Sequence, residues 1–153
     1  MQVIECSEAQ LDILAGLFND YRIFYEYEDD LPACRHFLEE NLRLRRSSMF
    51  LLIDDAGSAL AFAQCYPATC SLSMRPYQYL SDLYVIHTAR QQGHGRRLMQ
   101  YLRDHFSARG AQRITLDTAT TNVTAQRLYE ALGYEREQVY ITYHQVLEGA
   151  DQP

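Results

Sequence analysis

Between residues 77 and 132 the sequence alternates strand-forming and helix-forming stretches, and the first change of period runs through Arg90-Gln91-Gln92-Gly93-His94-Gly95-Arg96-Arg97. Before it, Tyr77–Ile86 is rich in Tyr, Leu and Val, residues that fit a pleated, half-buried surface. After it, Leu98, Leu102 and Phe106 recur on one face of a helix from Gly93 to about Ala108, which Gly110 ends. Ile114–Thr118 follows as a strand, Val123–Leu132 as a helix closed by Gly133, and Gln138–Val146 as a last strand. Strands and helices in this alternation require a sheet with helices on its faces.

The N-terminal half reads differently. Val3–Cys6 is a short strand ending at Ser7, a helix N-cap, after which Leu11, Leu14, Leu17 and Phe18 recur at helical spacing. Tyr21–Asp30 is dense in aromatics and acids, and Asp30 and Pro32 open a second helix with Phe37, Leu38, Leu42 and Leu44 on its apolar side. Met49–Ile53 is a buried strand, Asp54–Gly57 a turn, Leu60–Tyr66 its hairpin partner and Pro67–Pro76 a connecting loop. Paired strands first and alternation afterwards make a mixed α/β sheet. With 153 residues, no repeat and no linker composition, the chain is expected to be one domain, 1–153.

Charge excludes some functions. Lys+Arg 14 against Asp+Glu 20 leaves a net charge of −6, which argues against nucleic acid as a partner. No apolar run approaches the roughly 18 residues of a membrane span, and Met-Gln-Val-Ile-Glu-Cys lacks the regions of an export signal, so a cytoplasmic location is expected. Cys6, Cys34, Cys65 and Cys70 form no C-x-x-C pair and are expected as reduced thiols. The five histidines show no H-x-x-x-H spacing, so no metal site is expected.

A glycine turn between a strand and an amphipathic helix aims unpaired backbone N–H groups and the positive end of the helix dipole at one point, which suits a phosphate. Arg90, Arg96 and Arg97 add positive charge there. A G-x-G-x-x-G fingerprint fails because Leu98 stands at the third glycine, and a P-loop fails because no Gly-Lys-Ser/Thr occurs. The remaining pattern, [Q/R]-x-x-G-x-[G/A], resembles the acyl-CoA loop of the GNAT superfamily of N-acetyltransferases. Downstream, Asn122-Val-Thr-Ala125-Gln-Arg-Leu128-Tyr129-Glu130-Ala-Leu132-Gly133-Tyr134 is similar to that superfamily's N-x-x-A-x-x-L-Y-E-x-x-G-[FY] signature. Upstream, Leu80-Ser-Asp-Leu83-Tyr-Val85 resembles its strand before the loop, and His87 stands where it usually carries proline.

The resemblance implies a mixed, mostly antiparallel sheet with helices on both faces and acetyl-CoA as co-substrate. The cleft would lie where a bulge splays Tyr77–Ile86 from Ile114–Thr118. The pantetheine arm would pair with the backbone of Leu83, Tyr84 and Val85, and the Val85 N–H would serve as oxyanion donor. The pyrophosphate would lie on the loop of Arg90, Gln91, Gln92, Gly93, His94, Gly95 and Arg96. Asn122 would cap the following helix and also bind the pantetheine, or act only as the cap, and Tyr129 would protonate the departing CoA thiolate, as a phenol with pKa near 10 can. Asp82 is the candidate base, directly or through water, with His87 a second candidate. Pleat alternation sets Ser81 and Asp82 on opposite faces.

Tyr25 and Glu26 follow the first helix, where this family closes over its acceptor, and aromatic faces with carboxylates attract a cation. Ser81 borders the same region. Phe24-Tyr25, Phe37-Leu38 and Phe62-Ala-Gln64-Cys-Tyr66-Pro67 also resemble the diamine (spermidine/spermine-type) branch, although that branch carries an acid at the position of Ser81. The expected function is acetyl transfer to a primary amine, a polyamine or amino acid. The alternatives are a non-catalytic acyl-CoA-binding module and a protein or peptide N-acetyltransferase. The terminal strand implies, by resemblance, a homodimer.

Overall fold

The computed structural model describes residues 1–147, in two compact units, Met1–Ala119 and a second from Thr120 onward. In the first unit the strands are β1 (Gln2–Glu5), β2 (Ser48–Ile53), β3 (Ala59–Cys70), β4 (Arg75–Val85) and β5 (Ile114–Leu116). They form a sheet in chain order, antiparallel throughout except for parallel β4–β5. The helices are α1 (Leu11–Phe24), α2 (Leu31–Arg43) and α3 (His94–Ser107). Ser7 caps a single 3-10 turn before α1 with a full capping box, and Asp30 caps α2 by accepting from the Ala33 N–H (3.0 Å).

The pleat sorts side chains between two layers. Met49, Leu51 and Phe62 face α1 and α2, where they pack with Leu11, Leu14, Ala15 and Leu38. Phe50, one residue out of phase, meets Phe106 and His105 of α3 at ring-centroid distances of 5.7 and 4.9 Å. Leu98, Met99 and Leu102 complete this second layer. α1 and α2 therefore cover one face of the sheet and α3 the other.

Pro67–Pro76 is not a loop. The β3–β4 ladder continues from Pro67↔Gln78 to Cys70↔Arg75, leaving a tight turn between them. The prolines misled because proline supplies no ladder N–H. Pro76 avoids that loss: its carbonyl accepts from the Gln112 N–H (2.9 Å), so its nitrogen also points away from β3.

One irregularity positions the site. Leu80 pairs with Cys65 and Asp82 with Gln64, so Ser81 is an extra, unpaired residue, a β-bulge. In an unbroken pleat Asp82 would share the α3 face with Leu80. The bulge turns it to the α1–α2 face, beside Gln64. On the other side, β5 pairs with β4 only from Gln78↔Ile114 to Leu80↔Leu116, while β4 runs on to Val85.

The second unit contains α4 (Val123–Ala131), capped by the Asn122 Oδ1 accepting from the Ala125 N–H (3.2 Å). The strand expected over Gln138–Val146 does not form within the described residues. Val139, Tyr140, Ile141 and Tyr143 are each at least 75% exposed there. A strand needs a partner for its backbone groups, and no described segment pairs with this one.

Candidate active site

The backbone of β4 beyond the bulge has two sides. The Ile86 N–H donates to the Leu60 carbonyl (3.0 Å), so residues 86, 84 and 82 direct their N–H and C=O groups at β3. Leu83 and Val85 direct theirs the opposite way, along the stretch that β5 does not pair with. The Val85 carbonyl accepts from Arg90 Nε (3.1 Å). The Leu83 N–H and C=O and the Val85 N–H thus form a short edge suited to an extended amide-bearing chain.

A 3-10 turn at His87–Ala89 leads from this edge to α3. Gly93 is the N-cap of α3 at φ +81°, a left-handed conformation that glycine adopts without strain, and it offers no side-chain cap. Gln91 is also left-handed, at φ +62°. The first-turn N–H groups of His94, Gly95 and Arg96 have no intrahelical acceptor, and the helix dipole adds positive potential there. Gln91, Gln92, Gly93 and Arg96 are exposed, whereas His94 is buried. The Arg90 guanidinium carbon sits 4.8 Å from the Phe24 ring centroid and 5.5 Å from that of Tyr84.

Asp82 lies on the α1–α2 face, 8% exposed. Burial pushes its carboxyl above the ordinary aspartate range, and hydrogen bonds from Gln64, Tyr21 and Ser81 oppose that shift. Tyr21 joins it to an aromatic wall: its ring centroid is 5.0 Å from Tyr25, 5.7 Å from Phe62 and 6.1 Å from Tyr84. Glu26 is exposed at φ +65° in the following loop. That loop is pinned by Asn19, which donates to Asp29 Oδ1 (2.8 Å) and accepts from the Asp30 N–H (3.0 Å). Asp82, Tyr84 and Tyr25 are thus brought to one surface, with Tyr21 linking them. Ser81 is exposed at the bulge.

The remaining expected residues lie in the second unit. Asn122 caps α4, as both of its readings expected. Tyr129 is half-buried on α4, its ring 5.9 Å from that of Tyr134. Sequence reasoning missed the role of Tyr21 and Gln64 as donors to Asp82. The available signal for Gln64 was a lone amide within the apolar run Leu60–Cys65, in phase with Phe62. Among the described residues no group of His, Cys, Asp and Glu is placed to hold a metal, and no helix is long and apolar enough to cross a membrane. Cys6, Cys34, Cys65 and Cys70 are free thiols.

Comparison with known proteins identifies the family. Residues 14–134 match the Acetyltransferase (GNAT) family. The chain is 34% identical over 143 residues to an uncharacterized N-acetyltransferase of Bacillus subtilis (strain 168), YhfO, covering 94% of this chain and 95% of that one. A crystal structure of a probable acetyltransferase is similar with a TM-score of 0.93 and 32% identity, over 98% of this chain and 100% of that one. An aminoglycoside N(6')-acetyltransferase type 1 of Serratia marcescens is 28% identical over 94 residues, 60% of this chain and 64% of its own. A bulged strand with a free edge, an uncapped glycine turn and this level of likeness lead to one assignment: the chain belongs to the GNAT acetyltransferase family and is an N-acetyltransferase.

Proposed function

We propose that the protein transfers an acetyl group from acetyl-CoA directly to the primary amine of a small molecule, a polyamine or an amino acid. The observation that carries this reading is the backbone edge of Leu83 and Val85, left unpaired by β5 and followed at once by the α3 N-terminus. Those groups fit the amides and the pyrophosphate of the co-substrate that this family uses. When bound, acetyl-CoA supplies an activated acyl carbon.

The chain's own residues divide the remaining work. Leu83 and Val85 hold the pantetheine arm through their backbone, as residues 91–96 hold the pyrophosphate. The Val85 N–H donates to the thioester carbonyl oxygen as charge builds on it, a role worth about 3 kcal/mol. From the α1–α2 face of β4, Asp82 accepts a proton from the acceptor ammonium, directly or through water. A carboxyl raised by burial suits that task better than an ordinary aspartate. Tyr129 returns a proton to the departing thiolate, and Asn122 adds a contact to the pantetheine.

The acceptor is a cation in this reading. Asp82 is held by neutral donors alone, and Tyr21, Tyr25 and Tyr84 present aromatic surface beside it. The aminoglycoside acetyltransferase among the relatives also acts on a small polar amine, which supports that substrate class. We further propose that the protein acts in the cytoplasm as a homodimer; the exposed apolar stretch from Val139 to Leu147 favours association. The test is thiol release from acetyl-CoA with free polyamines, amino acids, aminoglycosides and peptides as acceptors. Turnover with free small amines is expected; turnover with peptides alone replaces this reading by a protein acetyltransferase.

A further inference from the structure

Asp82 sits at the end of a buried chain of neutral polar groups drawn from separate parts of the fold. Gln64 Nε2 donates to Asp82 Oδ2 at 2.7 Å. The other end of that amide, Gln64 Oε1, accepts from Ser47 Oγ at 2.8 Å and from Asn41 Nδ2 at 3.1 Å. Asn41 Nδ2 also donates to the Tyr66 hydroxyl at 3.0 Å. Gln64 and Asn41 are each 1% exposed, and among the described residues no buried side-chain nitrogen or oxygen lacks a partner.

Such a chain has a direction. An ionised carboxylate only accepts, so the Gln64 nitrogen must face Asp82 and its oxygen must face Ser47 and Asn41. Both of those then have to donate, and they do. Rotating the Gln64 amide would set two oxygens against each other at Asp82 and two NH2 groups against each other at Asn41. The orientation of one amide is therefore fixed from behind by α2 (Asn41) and by the segment entering β2 (Ser47). A polar network this deep is costly unless every member is satisfied, so a purely apolar alternative would pack as well.

We infer that Gln64, locked by Asn41 and Ser47, is a positioning residue that aims the Asp82 carboxylate at the acceptor face and keeps it ionised there. This rests on the reading of Asp82 as the base. The titratable groups around the carboxylate supply no rival: Tyr21 comes from α1, Cys65 and Tyr66 from β3, and Tyr79 from β4. None is a cation; burial raises Cys65, Tyr66 and Tyr79, and the charge on Asp82 adds to that rise. Arg46 acts on Tyr66, and among the described residues no cation contributes to the shift of Asp82. The hold on Asp82 is dipolar, and Gln64 is its most deeply anchored part.

The test is a carbon-13 NMR titration of the Asp82 carboxyl in the intact protein, alongside the pH profile of kcat/KM, for wild type, Gln64→Met and Ser47→Ala. Methionine keeps the length of the side chain and removes the donor. Its carboxyl midpoint is expected to rise by about one pH unit, a tenfold change in the ionisation constant. Ser47→Ala removes one anchor and is expected to move the midpoint in the same direction by less, which serves if Gln64→Met does not fold. An unchanged or lowered midpoint in a folded variant overturns the inference. A raised midpoint with the acid limb of kcat/KM moving in step upholds both the inference and the base. A raised midpoint with an unmoved limb upholds the hold of Gln64 on Asp82 and overturns only the reading of Asp82 as the base.

Discussion

In the proposed mechanism Asp82 couples activity to instability within a single carboxyl. Its folded-state pKa is raised by burial above the unfolded value, so its ionisation disfavours the folded state at every pH above the ordinary aspartate range. Asp82→Asn is expected to melt higher than wild type near pH 7, with the difference fading as pH falls below about 4. The same variant is expected to lose about 10²-fold or more in kcat and to lose the acid limb of the rate profile. Thermal melts and pH–rate curves of the two proteins check both. Tyr129→Phe is expected to slow transfer while sparing acetyl-CoA affinity, measured by calorimetry against steady-state rates. Among the thiols, the Ser73 hydroxyl and N–H hold Cys70 down at about 7, whereas burial pushes Cys6 and Cys65 up to about 12. Alkylation at neutral pH, followed by mass spectrometry, is expected to modify Cys70 first. Asp82 was readable in the sequence as an acid on the strand before the glycine turn, which is why it is proposed as the base. Its donors were not: Gln64 meets it through the β3–β4 register, and Tyr21 through the packing of α1 on that face of the sheet.

At the scale of elements, the bulge and the early end of β5 do the positioning. The sequence implied a splayed pair through resemblance, but only the ladder identifies Ser81 as the inserted residue. Deleting Ser81 is expected to leave β3–β4 pairing intact while straightening β4. Acetyl-CoA affinity should then fall about tenfold, the worth of one backbone hydrogen bond. Equilibrium binding checks this, and unchanged affinity removes the bulge from the account. The alternation of strand and helix after residue 77 was readable because period and glycine stops agreed. Pro67–Pro76 misread as a loop and Gln138–Val146 as a strand have one cause: pairing is decided by which neighbour offers a backbone partner, and propensity does not encode it.

For the whole molecule, the net charge of −6 draws cationic acceptors and repels an anionic co-substrate. Raising ionic strength is therefore expected to increase KM for a cationic amine, because screening lengths shrink to about 8 Å at physiological salt. A KM that is flat in salt would remove the cationic acceptor from the account. The homodimer is expected to give twice the 17.8 kDa chain mass by light scattering.

The central claim, direct acetyl transfer to a small amine, is tested most directly by following CoA thiol release over the panel of free amines and peptides. One class of free amine is expected to raise turnover far above acetyl-CoA hydrolysis, with the acetylated amine recovered in equal amount. Tight acetyl-CoA binding with no amine raising turnover would contradict the claim and favour an acyl-CoA-binding module.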